Sequence, residues 1–404
     1  MKSILSVFPI LALSSLISFG KQQTIENMLI KNNSTFAVDL YQKLRVSEGN
    51  IFFSPYSIST ALAMTYGGAR GNTEEEMAKS LRFSLEQVDL HSAFAQVESR
   101  LNKIQKSGEI NLSVANSLWP QQDYKFLDEY LSLTKKHYGV SINPVDYKRV
   151  REAAQTINKW VEDKTQDKIK DIIKPDTLDT LTRLILVNAI YFKGKWRSPF
   201  NAEETKDASF RISSEDFIQT PMMTQEGEFG YADLDSLELL QMPYAGEQVS
   251  MIVLLPKAVD GLAQLEADLS LATLEKWKSQ LHKKDVIVYL PKFKMTSEFS
   301  LNEILMSMGM IDAFNPLKAN FAGIDGRPDN LYISDVIHKA FVAVDEEGTE
   351  AAASTAVVFE AAGISTPSPT FNADHPFIFL IQENQTGTIL FMGRVNNPND
   401  IESE

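Results

Sequence analysis

The 404-residue chain contains no cysteine. Disulfides, thiolate nucleophiles and cysteine-based zinc sites are therefore excluded, and stability must come from packing. Enzyme signatures are missing as well: there is no G-x-S-x-G elbow, no H-E-x-x-H and no phosphate-binding glycine loop. Gly67-Gly68-Ala69-Arg70-Gly71 is glycine-rich but lacks the Lys-Ser/Thr pair that phosphate binding needs, and it reads as a helix end and turn. The histidines His91, His137, His282, His338 and His375 show no metal-ligand spacing. No catalytic residue, metal or cofactor is expected, and the chain is not expected to be an enzyme. Positive charge is short: the net charge of -14 disfavours nucleic acid or a polyanionic glycan as partner. Arg100, Lys103 and Lys106 form only a sparse basic group, read as a solvated helix face, so heparin is not an expected partner. No interior linker divides the chain, and beyond the N-terminus no apolar run approaches the ~20 residues that span a bilayer. One large soluble domain with no membrane partner follows.

What is present begins with Lys2, an apolar run from Ile4 to Ile17, and Ser18-Phe19-Gly20 with small residues at both peptidase-read positions. This pattern is a secretory signal, residues 1–20, leaving 21–404 as a secreted, extracellular domain. Helical spacing follows over Thr35–Leu44, Ser57–Tyr66, Thr73–Leu81, Leu90–Lys106, Asp128–His137 and Val150–Thr165. After about Thr182 the texture becomes strand-like, over 184–192, 237–242, 249–255, 286–290, 336–344, 377–381 and 388–392. Many of these runs are apolar throughout, which requires strands covered on both faces and an α+β fold. Glu383 to Gly387 reads as a hairpin turn. His338, within an apolar run, reads as a hydrogen-bonded structural residue.

A long segment near the C-terminus, Asp345 to Pro376, contains no Lys or Arg and exceeds what a compact domain spends on an idle connection. Thr349, Ala351, Ala353, Thr355, Val357 and Phe359 fall on one face of an extended chain, with Glu350, Ser354 and Glu360 on the other. The first face is small at its start and large at its end. Such a segment could slot between existing strands from the Gly348 end, with Gly348 as hinge; the same residues would also suit an Ala-rich helix or a plain flexible loop.

Several long motifs, in order, resemble the serpins. They are Asn50-Ile51-Phe52-Phe53-Ser54-Pro55-Tyr56-Ser57-Ile58, Leu186 through Trp196, Leu290-Pro291-Lys292-Phe293, Asn320-Phe321-Ala322-Gly323-Ile324, and Asp374-His375-Pro376-Phe377 through Val395. The resemblance implies a single fold with three β-sheets, about eight or nine helices and an exposed reactive loop, here about Glu347 to Phe371. It implies an inhibitor of serine proteases: the protease attacks the loop as substrate, becomes acylated, and is carried off as the cleaved loop inserts into the main sheet. About twelve to fifteen inserted residues would each gain of order 1 kcal/mol in ladder hydrogen bonds. At ~3.3 Å per residue the protease would move tens of ångströms.

The resemblance further assigns a hinge over Glu347, Gly348, Thr349, Glu350, Ala351, Ala352, Ala353, Ser354 and Thr355. It places the scissile bond at Ala362-Gly363, which suits an elastase-type pocket, with Ile364-Ser365 as the alternative and a chymotrypsin- or subtilisin-like target. It implies a shutter of Phe52, Ser54, Ser57, Asn188 and His338, and a breach of Trp196, Lys292 and Glu346 containing a Glu346–Lys292 ion pair. The expected partner is a serine protease held in a covalent complex by a monomeric inhibitor. A serpin-fold carrier or chaperone without inhibitory activity is the alternative. Asn33, Asn111 and Asn384, and also Asn32, lie in Asn-x-Ser/Thr sequons and are glycosylation candidates in a eukaryotic secretory path.

Overall fold

The computed structural model describes residues 10–403 apart from 109, 124, 141, 329, 330 and 350–366. The helices among them are α1 Ile10–Leu44, α2 Pro55–Tyr66, α3 Gly71–Ser80, α4 Gln87–Lys106, α5 Asp128–Tyr138, α6 Val150–Lys164, α7 Leu262–Asp268, α8 Leu271–Lys278, α9 Asn302–Ser307 and α10 Ala322–Asp325. The strands are β1 Ile51–Phe53, β2 Ile110–Pro120, β3 Leu184–Lys195, β4 Lys206–Arg211, β5 Phe217–Asp233, β6 Leu237–Pro243, β7 Val249–Pro256 and β8 His282–Pro291. They continue as β9 Phe293–Ser300, β10 Asp335–Val344, β11 Gly348–Thr349, β12 Thr370–Asn372, β13 Phe377–Glu383, β14 Ile389–Val395 and β15 Glu402–Ser403.

These strands form two hydrogen-bonded sheets. One has nine strands in the order β1-β14-β13-β7-β6-β5-β8-β12, with β4 branching from β5; the other has six, in the order β15-β9-β10-β11-β3-β2. The three sheets implied by the resemblance meet here as two because β5 is long enough to serve several neighbours. Its first residues pair β4, its middle pairs β8 and its end pairs β6.

The reason β3 is apolar at almost every position lies in its two faces. Leu184, Leu186, Ile190 and Phe192 enter the large core beneath the sheet, which α1, α2 and α4 share with the nine-stranded sheet. Ile185, Val187, Ala189 and Tyr191 enter a second core on the opposite face, where Ala154, Ile157 and Val161 of α6 cover them. Alternation therefore persists as geometry while polarity no longer marks it.

Helix α2 is buried along its whole length. Ser54 caps it, accepting the Ser57 backbone N–H at 3.2 Å, and Pro55 occupies the first turn, where its missing N–H is harmless. The helix ends at Tyr66, and Gly67 to Arg70 make the turn into α3, which begins at Gly71, two residues before the expected Thr73. On α4, Arg100 pairs with Glu26 at 2.6 Å and Lys103 and Lys106 remain solvated.

In place of disulfides, a buried polar hub ties the chain's two ends together. Arg394 of β14 donates to the carbonyl oxygens of Arg45, Ser47 and Gly49 and, at 3.0 Å, to Glu266 of α7. Tyr41 donates to the same carboxylate at 2.7 Å. Removing one member of a buried ion pair strands the other, so Arg394→Ala should destabilise the protein by about 3–5 kcal/mol. The denaturant midpoint reads this directly; a shift within about 0.5 kcal/mol, as for an ordinary surface change, would show that the hub is not structural.

Candidate functional site: the seam and fork of the six-stranded sheet

Strands β3 and β10 pair in parallel, Ile185–Tyr191 against Asp335–Phe341. Beyond this seam they diverge, and β11 lies between them, antiparallel to both: Thr349 pairs with Val344 on one side and Gly194 on the other. The sheet is thus a fork, closed below and opened above by the first described residues of the anticipated loop.

The turn delivering β11 is built by Asp345. Its side chain accepts the backbone N–H of Glu347 at 3.0 Å and of Gly348 at 3.3 Å, and its own N–H donates to the Gly348 carbonyl at 2.9 Å. Gly348 is required by close approach, since a Cβ there would lie 2.0 Å from the Gly194 carbonyl oxygen. Thr349 is fully buried, its hydroxyl 2.8 Å from that of Tyr244. Trp196 stacks on Tyr244 with centroids 4.6 Å apart, and its indole N–H donates to the Asp345 carbonyl at 3.0 Å.

Lys292 and Glu346 lie at 2.7 Å, and Thr205 donates to the other carboxylate oxygen at 2.8 Å. Burial alone would raise the Glu346 carboxyl; the hydrogen bonds from Lys292 and Thr205 outweigh it and hold the group below the usual carboxylate range. The three residues assigned to the breach therefore meet around one turn. Tyr244, Thr205 and Asp345 complete it, and no sequence motif used above pointed to them.

Lower in the seam, His338 and Asn188 are register partners. The His338 ring accepts the Ser54 backbone N–H through Nε2 at 3.1 Å, so Nδ1 carries the proton and donates to the Asn188 side-chain oxygen Oδ1. The Asn188 amide donates to Ser57 Oγ and to Asn116 of β2, while Ser57 donates to Asn116 at 3.1 Å. Ser54 Oγ donates to the Leu390 carbonyl at 2.6 Å. Phe52 stacks on Phe391 and Phe379, and its N–H donates to Ser297 Oγ. Ser54, Ser57, Asn188 and His338 of the assigned shutter, with Asn116, thus form one buried relay running from β2 through β3 to β10 and α2, while Phe52 packs beside it and meets Ser297. Sequence reasoning missed Asn116 and Ser297; an Asn or Ser inside an apolar strand is the signal that could have found them.

Of the hinge, Glu347, Gly348 and Thr349 are described. Glu350, Ala351, Ala352, Ala353, Ser354, Thr355 and both scissile candidates, Ala362-Gly363 and Ile364-Ser365, lie outside the described residues. Among the sequons, Asn33 is a correction: it is buried within α1, its carbonyl oxygen accepting from Ser59 at 2.8 Å, and a glycan there is incompatible with the packing. Asn32 donates to Ser84 at 2.7 Å; Asn111 accepts from Ser113 within β2; Asn384 donates to the Glu247 carbonyl from the β13–β14 turn.

Residues 31–398 match the family profile described as Serpin (serine protease inhibitor). Leukocyte elastase inhibitor A of Mus musculus is 41% identical over 382 residues, covering 91% of this chain and 98% of the relative. The leukocyte elastase inhibitor of Xenopus laevis is 42% identical over 372 residues, covering 90% and 97%. Among solved structures, Serpin48 of Tenebrio molitor superposes with a TM-score of 0.82 at 32% identity, covering 92% and 98%. Human thyroxine-binding globulin with its hormone superposes at 0.85 and 33%, covering 93% and 100%. The chain belongs to the serpin family, a family described by serine protease inhibition rather than by catalysis.

Two outcomes follow from the fork. Gly348→Ala should expel Thr349 from its seat, raising amide hydrogen exchange across residues 345–349; unchanged exchange there would show that the close approach does not hold β11 in place. The second concerns pH. Burial lowers the His338 pKa to about 3, and that of His91 to about 4, with the nearby His137 adding to the latter. Both rings lie below the ordinary value near 6.5, so the unfolded chain binds protons that the folded one refuses. Stability is full above about pH 6.5 and falls as pH drops, by about 1.4 kcal/mol per pH unit for each ring, down to about pH 4 for His91 and about pH 3 for His338. His338→Gln should therefore lose less stability than the parent between pH 7 and pH 5, as read by Tm; parallel curves would refute the assignment to His338.

Proposed function

We propose that this protein is a secreted inhibitor that traps an elastase-type serine protease by covalent acylation and loop insertion. The carrying observation is the fork: Gly348-Thr349 already occupies the first rung between β3 and β10, antiparallel to both. Continuing this strand would exchange one parallel ladder for two antiparallel ones. The next residues on the inward face, Ala351, Ala353 and Thr355, are small and uncharged, so nothing in their chemistry opposes entry. The name shared by the mammalian and amphibian relatives supports an elastase-like target.

In this reading the protease serine oxygen forms an ester with the Ala362 carbonyl carbon. The Ala362–Gly363 peptide bond breaks, and the departing Gly363 nitrogen takes the proton. Insertion then competes with hydrolysis of the ester. Ala362 suits a shallow specificity pocket, while the absence of Lys and Arg from 345–376 leaves an acidic trypsin-type pocket unmet. The inhibitor acts as a monomer without a cofactor, and no observation favours the carrier alternative. Secretion is supported by Lys2 and the apolar run behind it, and by the family match beginning only at residue 31. Among the described side chains of α1, burial begins at Glu26 and Leu29.

The test is incubation with elastase, chymotrypsin, subtilisin and trypsin. An SDS-stable band with elastase, and a released peptide beginning at Gly363, is the expected result; a peptide beginning at Ser365 would move the reading to the chymotrypsin or subtilisin class. Thr349→Arg, which places a charge in a fully buried seat, should turn the inhibitor into a substrate, with at least a tenfold drop in complex per cleavage. Clean cleavage of the parent by every enzyme would overturn the proposal.

A further inference from the structure

A cleft of about 230 Å³ opens where α2, α4, α5, α6 and β2 meet, on the side of β2 away from the seam. It is larger than the roughly 150 Å³ that admits benzene and smaller than the ~300 Å³ lower end of drug-sized sites. Its occupant is therefore a one-ring molecule.

The lining specifies its chemistry. Phe94 of α4, Tyr138 of α5 and Trp160 of α6 supply three aromatic walls, and Val140 closes an apolar side. Tyr138 is fixed by a 2.6 Å hydrogen bond between its hydroxyl and His91 Nδ1, and its ring packs 6.0 Å from that of Phe94. Against these walls stands one carboxylate, Glu98, met only by long bonds from Tyr56 at 3.2 Å and Asn102 at 3.3 Å. No cation pairs with it among the described residues. Burial pushes its carboxyl above the ordinary range. Lys164 also lines the cleft, its ammonium 5.8 Å over the Trp160 ring rather than paired with Glu98.

We propose that this cleft binds an arylalkyl ammonium, a one-ring primary amine whose nitrogen pairs with Glu98 and whose ring lies among Phe94, Tyr138 and Trp160. The floor of the cleft is Asn116, the outermost member of the relay that reaches Asn188 and His338. The bound amine therefore lies against the strand that must shift when the sheet opens. The site stands apart from the inhibitory reading, because binding is measured on the resting protein with no protease present.

The experiment is calorimetric titration of the full chain with 2-phenylethylamine, with 3-phenyl-1-propanol as neutral counterpart and 3-phenylpropionate as acidic one. Saturable amine binding at millimolar concentration is expected, about tenfold tighter than the alcohol, with no heat from the acid. Glu98→Gln should erase the preference for amine over alcohol. Trp160→Leu, on the partly exposed wall, should weaken both and serves as the second variant if Glu98→Gln does not fold by circular dichroism. Equal affinity for amine and alcohol, binding of the acid, or no binding of the amine at all would each overturn the proposal.

Discussion

The parallel pairing of β3 with β10 is the interaction on which the rest of this molecule depends. Both strands are apolar and covered, so the ladder cannot be replaced by water, and breaking it strands buried backbone groups unless another strand takes their place. Parallel ladders are also somewhat less favourable per residue than antiparallel ones. A seam of this kind is closed to solvent and open only to a competing strand. Just beyond its end, where β3 and β10 diverge, β11 lies between them for a length of two residues.

The polar relay explains how such a seam stays shut without being welded. His338, Asn188, Ser57, Asn116 and Ser54 are all buried, and each is satisfied only while the others hold position. Partial separation leaves several orphaned groups at once, each costing about 1–3 kcal/mol, whereas full replacement by a new strand can offer new partners. The relay thus opposes half-opened states more than it opposes opening. From His338 to Val344 is six residues, or about 20 Å of strand, and the turn at Asp345 stands at the far end. The relay and the Asp345 turn therefore sit at two levels of one sheet, the first a hydrogen-bonded network and the second a turn pinned by Trp196, Tyr244 and the Lys292–Glu346 pair.

Legibility in the sequence followed the strength of local signals. Helices α2, α4, α5 and α6 were readable within a few residues because one face alone is apolar or a Ser-Pro start marks them. Strands β3, β7, β10 and β13 were readable because both faces are buried. Strand β5 was not: it is mostly polar on an exposed face, with Pro221, Gly227 and Gly230 along it, and its identity comes from pairing with β4, β8 and β6. For the same reason the merging of two expected sheets into one was invisible, since a join depends on register between distant strands. Within the site, motif resemblance located Ser54, Asn188, His338, Trp196, Lys292 and Glu346. It could not supply Asn116, Ser297, Tyr244 or Thr205, whose roles exist only through partners far along the chain.

The hinge shows how sequence and fold constrain each other most tightly. A residue at position 348 must pass within contact distance of the Gly194 backbone, and a residue at 349 must fit beneath Tyr244 with a hydroxyl to meet its own. Glycine and threonine are close to the only pair that satisfies both conditions without a cavity or an orphaned phenol. The Asp345 turn requires a short acceptor that can reach the N–H groups two and three residues on, which Glu at that position would overshoot. Glu346 and Glu347 are then placed by the turn rather than by their own preferences, one outward to Lys292 and Thr205, the other with its carbonyl on the Trp196 backbone N–H. The acidic run from Asp345 to Glu347 is thus a set of assigned positions: the Asp345 carboxylate closes the turn, the Asp345 and Glu347 carbonyls hold Trp196, and the Glu346 carboxylate holds Lys292 and Thr205.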